Sequence, residues 1–76
     1  MVELEHWVRV TEAYFGGGAG YVGMFVEKKS GRLKVTASPL GVGGYQEFPR
    51  ERAMEAMVLY EKWAFKVGLM YRGIAA

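Results

Sequence analysis

Apolar and polar residues alternate through VELEHWVRVTEAYF, near the start of a 76-residue chain. Val2, Leu4, Val8 and Val10 fall on one face of that pattern, and Glu3, Glu5, Trp7, Arg9 and Thr11 on the other. A period of two with β-branched residues predicts a long, half-buried strand. His6 shares the apolar face, where a satisfied, partly buried histidine is expected. The glycines at 16–18 end the strand, because glycine has no side chain to pack and loses the most entropy on ordering. YVGMFVEK and RLKVTAS then flank the turn-forming KSG, so residues 21–37 are expected to form a β-hairpin. Pro39 removes a ladder donor and closes that strand, GVGG is a second flexible connection, and YQEF reads as a short fourth strand.

From Pro49 the period changes. Pro49 suits a first helical position, and Glu51 sits in the first turn, where the helix dipole favours an acid. Ala53, Ala56, Met57, Tyr60, Ala64 and Val67 then follow the i, i+3, i+4, i+7 spacing of a core-facing stripe, with Gly68 as the expected C-cap. The predicted fold is α+β: a small ββββα domain over residues 1–76, with one long C-terminal helix packed on one face of an antiparallel sheet. Beside the core stripe, Met54, Val58, Phe65 and Leu69 form a second apolar one. A lone helix on a sheet would leave it in water, so either the tail LMYRGIAA or a second copy of the chain is expected to cover it, making these four a possible dimer interface.

Composition narrows the function classes. The chain has no cysteine, so neither a disulfide nor a thiolate metal site can supplement the core. At 51% apolar and 14% aromatic it has enough packing material to fold without them. No apolar run reaches the ~20 residues needed to cross a bilayer. MVELEHW lacks the basic and apolar regions of a signal peptide, so a soluble, cytoplasmic protein with no membrane partner is expected. All eight acids are Glu and there is a single His, a poor repertoire for metal ligation or acid–base catalysis. The expectation is a non-enzymatic protein with no metal and no cofactor.

The run GAGYVG fits G-x-G-x-x-G letter for letter. That fingerprint cradles a phosphate only when a helix follows it, whose N-terminal N–H groups meet the anion. Here MFVEKK follows and leads into a hairpin, so the glycines are read as a mobile turn joining the first two strands.

Net charge is only +2, but its distribution is uneven. Glu3, Glu5 and Glu12 outweigh Arg9 in the first strand, whereas Lys28, Lys29, Arg32 and Lys34 make the hairpin basic. If Val8, Val10, Val22, Met24, Val26, Leu33 and Val35 face the helix, alternation puts Trp7, Arg9, Tyr21, Phe25, Arg32, Lys34 and Thr36 on the opposite face, with Tyr45 from the short strand. Aromatic rings interleaved with cations on an uncovered sheet suit single-stranded nucleic acid, since bases stack on rings while cations neutralise phosphates. The tip residues Lys28 and Lys29 would extend the positive surface. Exposed Trp, Tyr and Arg are also the usual anchors of protein–protein contacts, and a basic tip is often simply solvated.

Residues 23–68, through SGRLKV, Phe48 just before the helix, and Ala53 and Ala56, resemble the three-stranded-sheet-plus-helix plan of integrase arm-binding domains and of plant ethylene-response DNA-binding domains. That resemblance implies readout of a DNA major groove by the sheet, through Arg32, Lys34 and Thr36. In size and outline the whole chain is also similar to small phage-encoded inhibitors of host defence, including CRISPR inhibitors, which implies a host nucleoprotein complex as partner. The expected partners are therefore DNA or RNA, or such a complex, with a homodimer as a further possibility. Nucleic-acid binding is the first reading and an inhibitory protein-interaction module the alternative.

Overall fold

The computed structural model describes residues 6–38 and 44–72. The expectations resting on Val2, Glu3, Leu4 and Glu5, on Pro39, on Gly41 and Gly43, and on the tail beyond Arg72 lie outside the described residues. Four strands, β1 (Trp7–Phe15), β2 (Gly20–Glu27), β3 (Leu33–Ser38) and β4 (Tyr45–Phe48), are followed by a 3-10 turn (Arg50–Arg52) and one helix, α1 (Ala53–Arg72). The strands form an antiparallel meander in the order β1-β2-β3-β4. This is the ββββα arrangement expected from the alternation and the change of period at Pro49. Among the described residues no helix is long and apolar enough to cross a membrane.

The helix packs on the sheet face carrying Val22, Met24, Leu33, Val35, Ala37 and Phe48. Ala56 and Val67, both fully buried, bring its backbone close to that face. The core divides into two clusters, one around Met24, Leu33, Val35, Phe48 and Ala56, the other around Val22, Ala37 and Val67. Tyr60 and Trp63 pack against both and join them. Each fully buried valine contributes roughly 1.5–3 kcal/mol relative to exposure, so Val22, Val35 and Val67 anchor the layer contact.

Three details of this packing differ from the sequence reading. Met57 is exposed rather than in the core, because the helix seats on its alanines and on Trp63. Gly68 does not end the helix, which runs on to Arg72; a Cβ at Gly68 would lie 3.3 Å from the Phe15 ring, so this glycine accommodates β1. Residues 69–72 are therefore helical and do not fold back over the second apolar stripe.

The largest departure is in β1. Arg9 faces Phe25 and Thr11 faces Met24, which are consecutive positions of β2, so Val10 is an extra residue in a β-bulge. Beyond the bulge the faces exchange. Thr11 points to the helix side, its hydroxyl 3.5 Å from that of Tyr60, and Phe15 packs into the core. Val8 and Val10 are 43% and 51% exposed instead of covered by the helix. His6 is exposed as well, not partly buried.

The glycine run has a specific geometry. Gly16, Gly17 and Gly18 have φ of +58°, +70° and +98°, a left-handed run closed by Ala19 N–H donating to the Gly16 carbonyl at 3.4 Å. It makes the tight β1–β2 turn, after which Phe15 pairs with Gly20. The second half of GAGYVG is strand, not loop. Gly20 lies beneath Tyr71 and Val67, and Gly23 beneath the Tyr21 hydroxyl. Each glycine of the apparent phosphate fingerprint is accounted for by a turn or a close approach.

Candidate binding face

The sheet face away from the helix is built in rows across the strands. One row runs Arg9, Phe25, Lys34, Glu47 across all four, and the next runs Glu12, Gly23, Thr36, Tyr45. Trp7, opposite Glu27, sits at one end, and Tyr14 beside Tyr21 at the other. Spaced by ~3.4 Å per residue, these rows make a strip about 20 Å long. The observed β2 register keeps Phe25 on this face, as the alternation predicts.

Lys34 is the centre of the strip. Its Nζ stands 4.4 Å from the Trp7 ring centroid, 5.3 Å from Phe25 and 5.9 Å from Tyr45. The Arg32 guanidinium lies 5.5 Å from the same indole. An ammonium above aromatic faces is attracted by their quadrupoles, by about 0.5–1 kcal/mol at an exposed site. Arg32 Nη1 also donates to Glu47 Oε1 at 2.9 Å, and Tyr45 donates its hydroxyl to the other Glu47 oxygen. Trp7, Phe25, Arg32, Lys34 and Tyr45, drawn from four separate parts of the chain, thus come together in one cluster.

Arg9 and Tyr21 belong to a neighbouring group. Tyr21 leans over Gly23 and donates its hydroxyl to Glu12 at 3.1 Å, and Arg9 lies 3.4 Å from the other Glu12 oxygen. Partial burial, then the Glu12 hydrogen bond and charge, push the Tyr21 hydroxyl up to about 12. Its ring meets Tyr14 with centroids 5.0 Å apart. Glu12, Tyr14 and Glu47 join this face in addition to the residues that alternation assigns to it. Glu12 and Tyr14 reach it only because of the bulge at Val10.

Lys28 and Lys29 sit exposed at the hairpin tip with His6, around a shallow hollow of about 230 Å³. What fixes the tip is Glu27, only 3% exposed despite its charge. Its carboxylate accepts from Ser30 N–H at 2.7 Å, Ser30 Oγ at 2.8 Å, Lys29 N–H at 3.1 Å and His6 N–H at 3.4 Å. The Ser30 bonds above all hold the acid down at about 2, against an ordinary 4.5. Because the folded value lies below the unfolded one, this stabilisation is complete above about pH 4.5 and is lost as pH falls toward 2. Thermal melts followed by circular dichroism from pH 7 to 2 are expected to decline in that window. Glu27→Gln should melt lower at neutral pH and lack that part of the acid decline; a variant with the wild-type profile would remove the tip carboxylate from this account.

The second apolar stripe is exposed. Met54 and Phe65 are 72% and 67% accessible, and Val58 and Leu69 lie on the same side, turned away from the sheet. No protein-family model, no curated protein and no solved structure matches the chain.

Proposed function

We propose that this is a small, non-enzymatic, cytoplasmic protein that binds single-stranded nucleic acid along the open sheet face. The observation that carries the reading is the Lys34 ammonium held within 6 Å of three aromatic rings, with Arg32 beside the same indole. Rings and cations interleaved at this spacing suit bases that stack and phosphates that follow the cations. Trp7, Phe25, Tyr21 and Tyr45 supply the platforms, Arg9, Arg32 and Lys34 the central charges, and Lys28 and Lys29 an extension at the tip.

A flat, uncovered sheet accepts a single strand more readily than a duplex, whose bases are already stacked. Fluorescence anisotropy with labelled DNA and RNA of about 10 nucleotides, single- and double-stranded, at 50 and 200 mM salt tests this. Binding is expected to favour the single strands and to weaken with a log–log salt slope near −2, about −0.7 for each of three neutralised phosphates. Absence of binding at low salt would overturn it.

One observation supports a second reading. Arg32 is paired with Glu47 and Arg9 with Glu12, so the face is more balanced than that of most nucleic-acid binders. A balanced aromatic and arginine face also suits a protein partner, such as a host nucleoprotein complex inhibited by this chain. Salt-insensitive binding to a protein, with none to oligonucleotides, is the result that selects it.

A further inference from the structure

We infer that the outer face of α1 is a homodimer interface in which two copies of the helix pack antiparallel about a two-fold axis at the Glu61–Lys62 step. The exposed residues Met54, Val58, Phe65 and Leu69 lie on the side of the helix opposite the one that Ala56 and Val67 bury. Their spacing is its own mirror image about the midpoint between residues 61 and 62. A two-fold axis through that point sets Val58 against Phe65 of the second copy and Met54 against Leu69, each contact occurring twice. A closed dimer requires this kind of self-complementarity.

Charge selects the direction and the occupant. The acids of the helix, Glu55 and Glu61, precede the midpoint, and the bases Lys62, Lys66 and Arg72 follow it. An antiparallel pair lays the acidic half of each helix along the basic half of the other, leaves Glu55 only about 3 Å along the axis from the level of the second copy's Lys66, and opposes the two macrodipoles. Glu55 accepts from Arg52 in its own chain and keeps lone pairs for a second cation. A parallel pair would instead align the two macrodipoles in one direction and set Glu55 level with its own copy rather than near Lys66. A groove of about 370 Å³ between the helix and β4, lined by Phe48, Met54, Val58 and Leu59 among others, opens beside Val58. The antiparallel register brings the second copy's Phe65 to its mouth.

The resulting assembly is layered sheet, helix, helix, sheet, with the two aromatic faces pointing outward and unobstructed. It is independent of what those faces bind.

Sedimentation equilibrium on the full chain is expected to give a reversible dimer with a micromolar dissociation constant, since two helices alone bury less than a standard interface. Phe65→Glu should weaken it about a hundredfold, as loss of an aromatic anchor does, with an unchanged circular dichroism spectrum. Because the chain has no native cysteine, single cysteines report the register directly. Lys62→Cys lies beside the axis and should oxidise to a linked dimer. Met54→Cys alone should not, its two copies being about 22 Å apart along the axis at 1.5 Å per residue, whereas a mixture of Met54→Cys and Leu69→Cys chains should link. A monomer at all concentrations overturns the inference, and so does linking of Met54→Cys with itself, the signature of a parallel pair.

Discussion

Gly20→Val is expected to lower the melting temperature by about 5–15 °C, although valine is among the best strand formers and glycine among the worst. Propensity favours the substitution by at most about 1 kcal/mol. Against it stands the packing: a Cβ at Gly20 would lie 2.7 Å from both Tyr71 and Val67. Val67 is fully buried and cannot move aside without disturbing Val22 and Ala37, which it packs with. Overpacking of this kind costs about 1–3 kcal/mol and occasionally more, a large share of the roughly 4–11 kcal/mol that holds a domain of this size. The clash wins. Gly17→Ala is the informative comparison, because its Cβ meets nothing within 4 Å and only the positive φ is at stake. It should cost about 1–2 kcal/mol. Melts of both variants decide the matter, and a Gly20→Val protein as stable as wild type would show that Tyr71 and Val67 do not hold the helix end on the first hairpin.

Lys34→Glu is expected to reduce affinity for a single-stranded oligonucleotide by about a hundredfold, the largest effect of any single change on the open face. It removes the cation at the centre of the cluster and leaves a carboxylate among three rings where a phosphate would pass. Trp7→Ala should cost about 1–3 kcal/mol of binding, the worth of one base stack. The two changes should not add, since Trp7 and Lys34 are in contact and each positions the other. Both residues are on the uncovered face, so melting temperatures should move little. Anisotropy at low salt for the two single variants and the double variant separates these terms. Wild-type affinity in both single variants would eliminate this face as the nucleic-acid site.

Much of this was legible in the sequence. The strands and the helix follow from the period of apolar residues, and Phe25, Lys34 and Val35 fall on their correct faces because β2 and β3 pair without interruption. In the sequence β1 shows a single phase from end to end. Alternation is a local signal, and it carries no mark of which residue the partner strand will leave unpaired. The alternation picks out the side chains that gather around Lys34 singly and not as a cluster, since the distance from Trp7 to Lys34 depends on two strand pairings at once. In the sequence Glu27 is one more charge beside the lysines of the hairpin. Its enclosure by Ser30, Lys29 and His6 depends on the left-handed Gly31 and on the approach of β1, neither of which a charge count reports. The end of the helix was misplaced at Gly68 because a glycine that admits a neighbouring ring is written with the same letter as one that stops a helix.

The bulge at Val10 also settles how the first strand tolerates a change of length. Trp7 belongs to the open face and Phe15 to the core, yet the two are separated by an even number of positions, which an unbroken strand would place on one side. The extra residue reconciles them. A chain lacking Val10 would keep every cross-strand partner it has now, in an unbroken ladder. A residue lost or gained between Thr11 and Phe15 would instead turn Phe15 out of the core or bring Tyr14 in. Along this strand, Val10 is the one position where an insertion is already absorbed, and the partition of β1 between the two faces of the sheet depends on it.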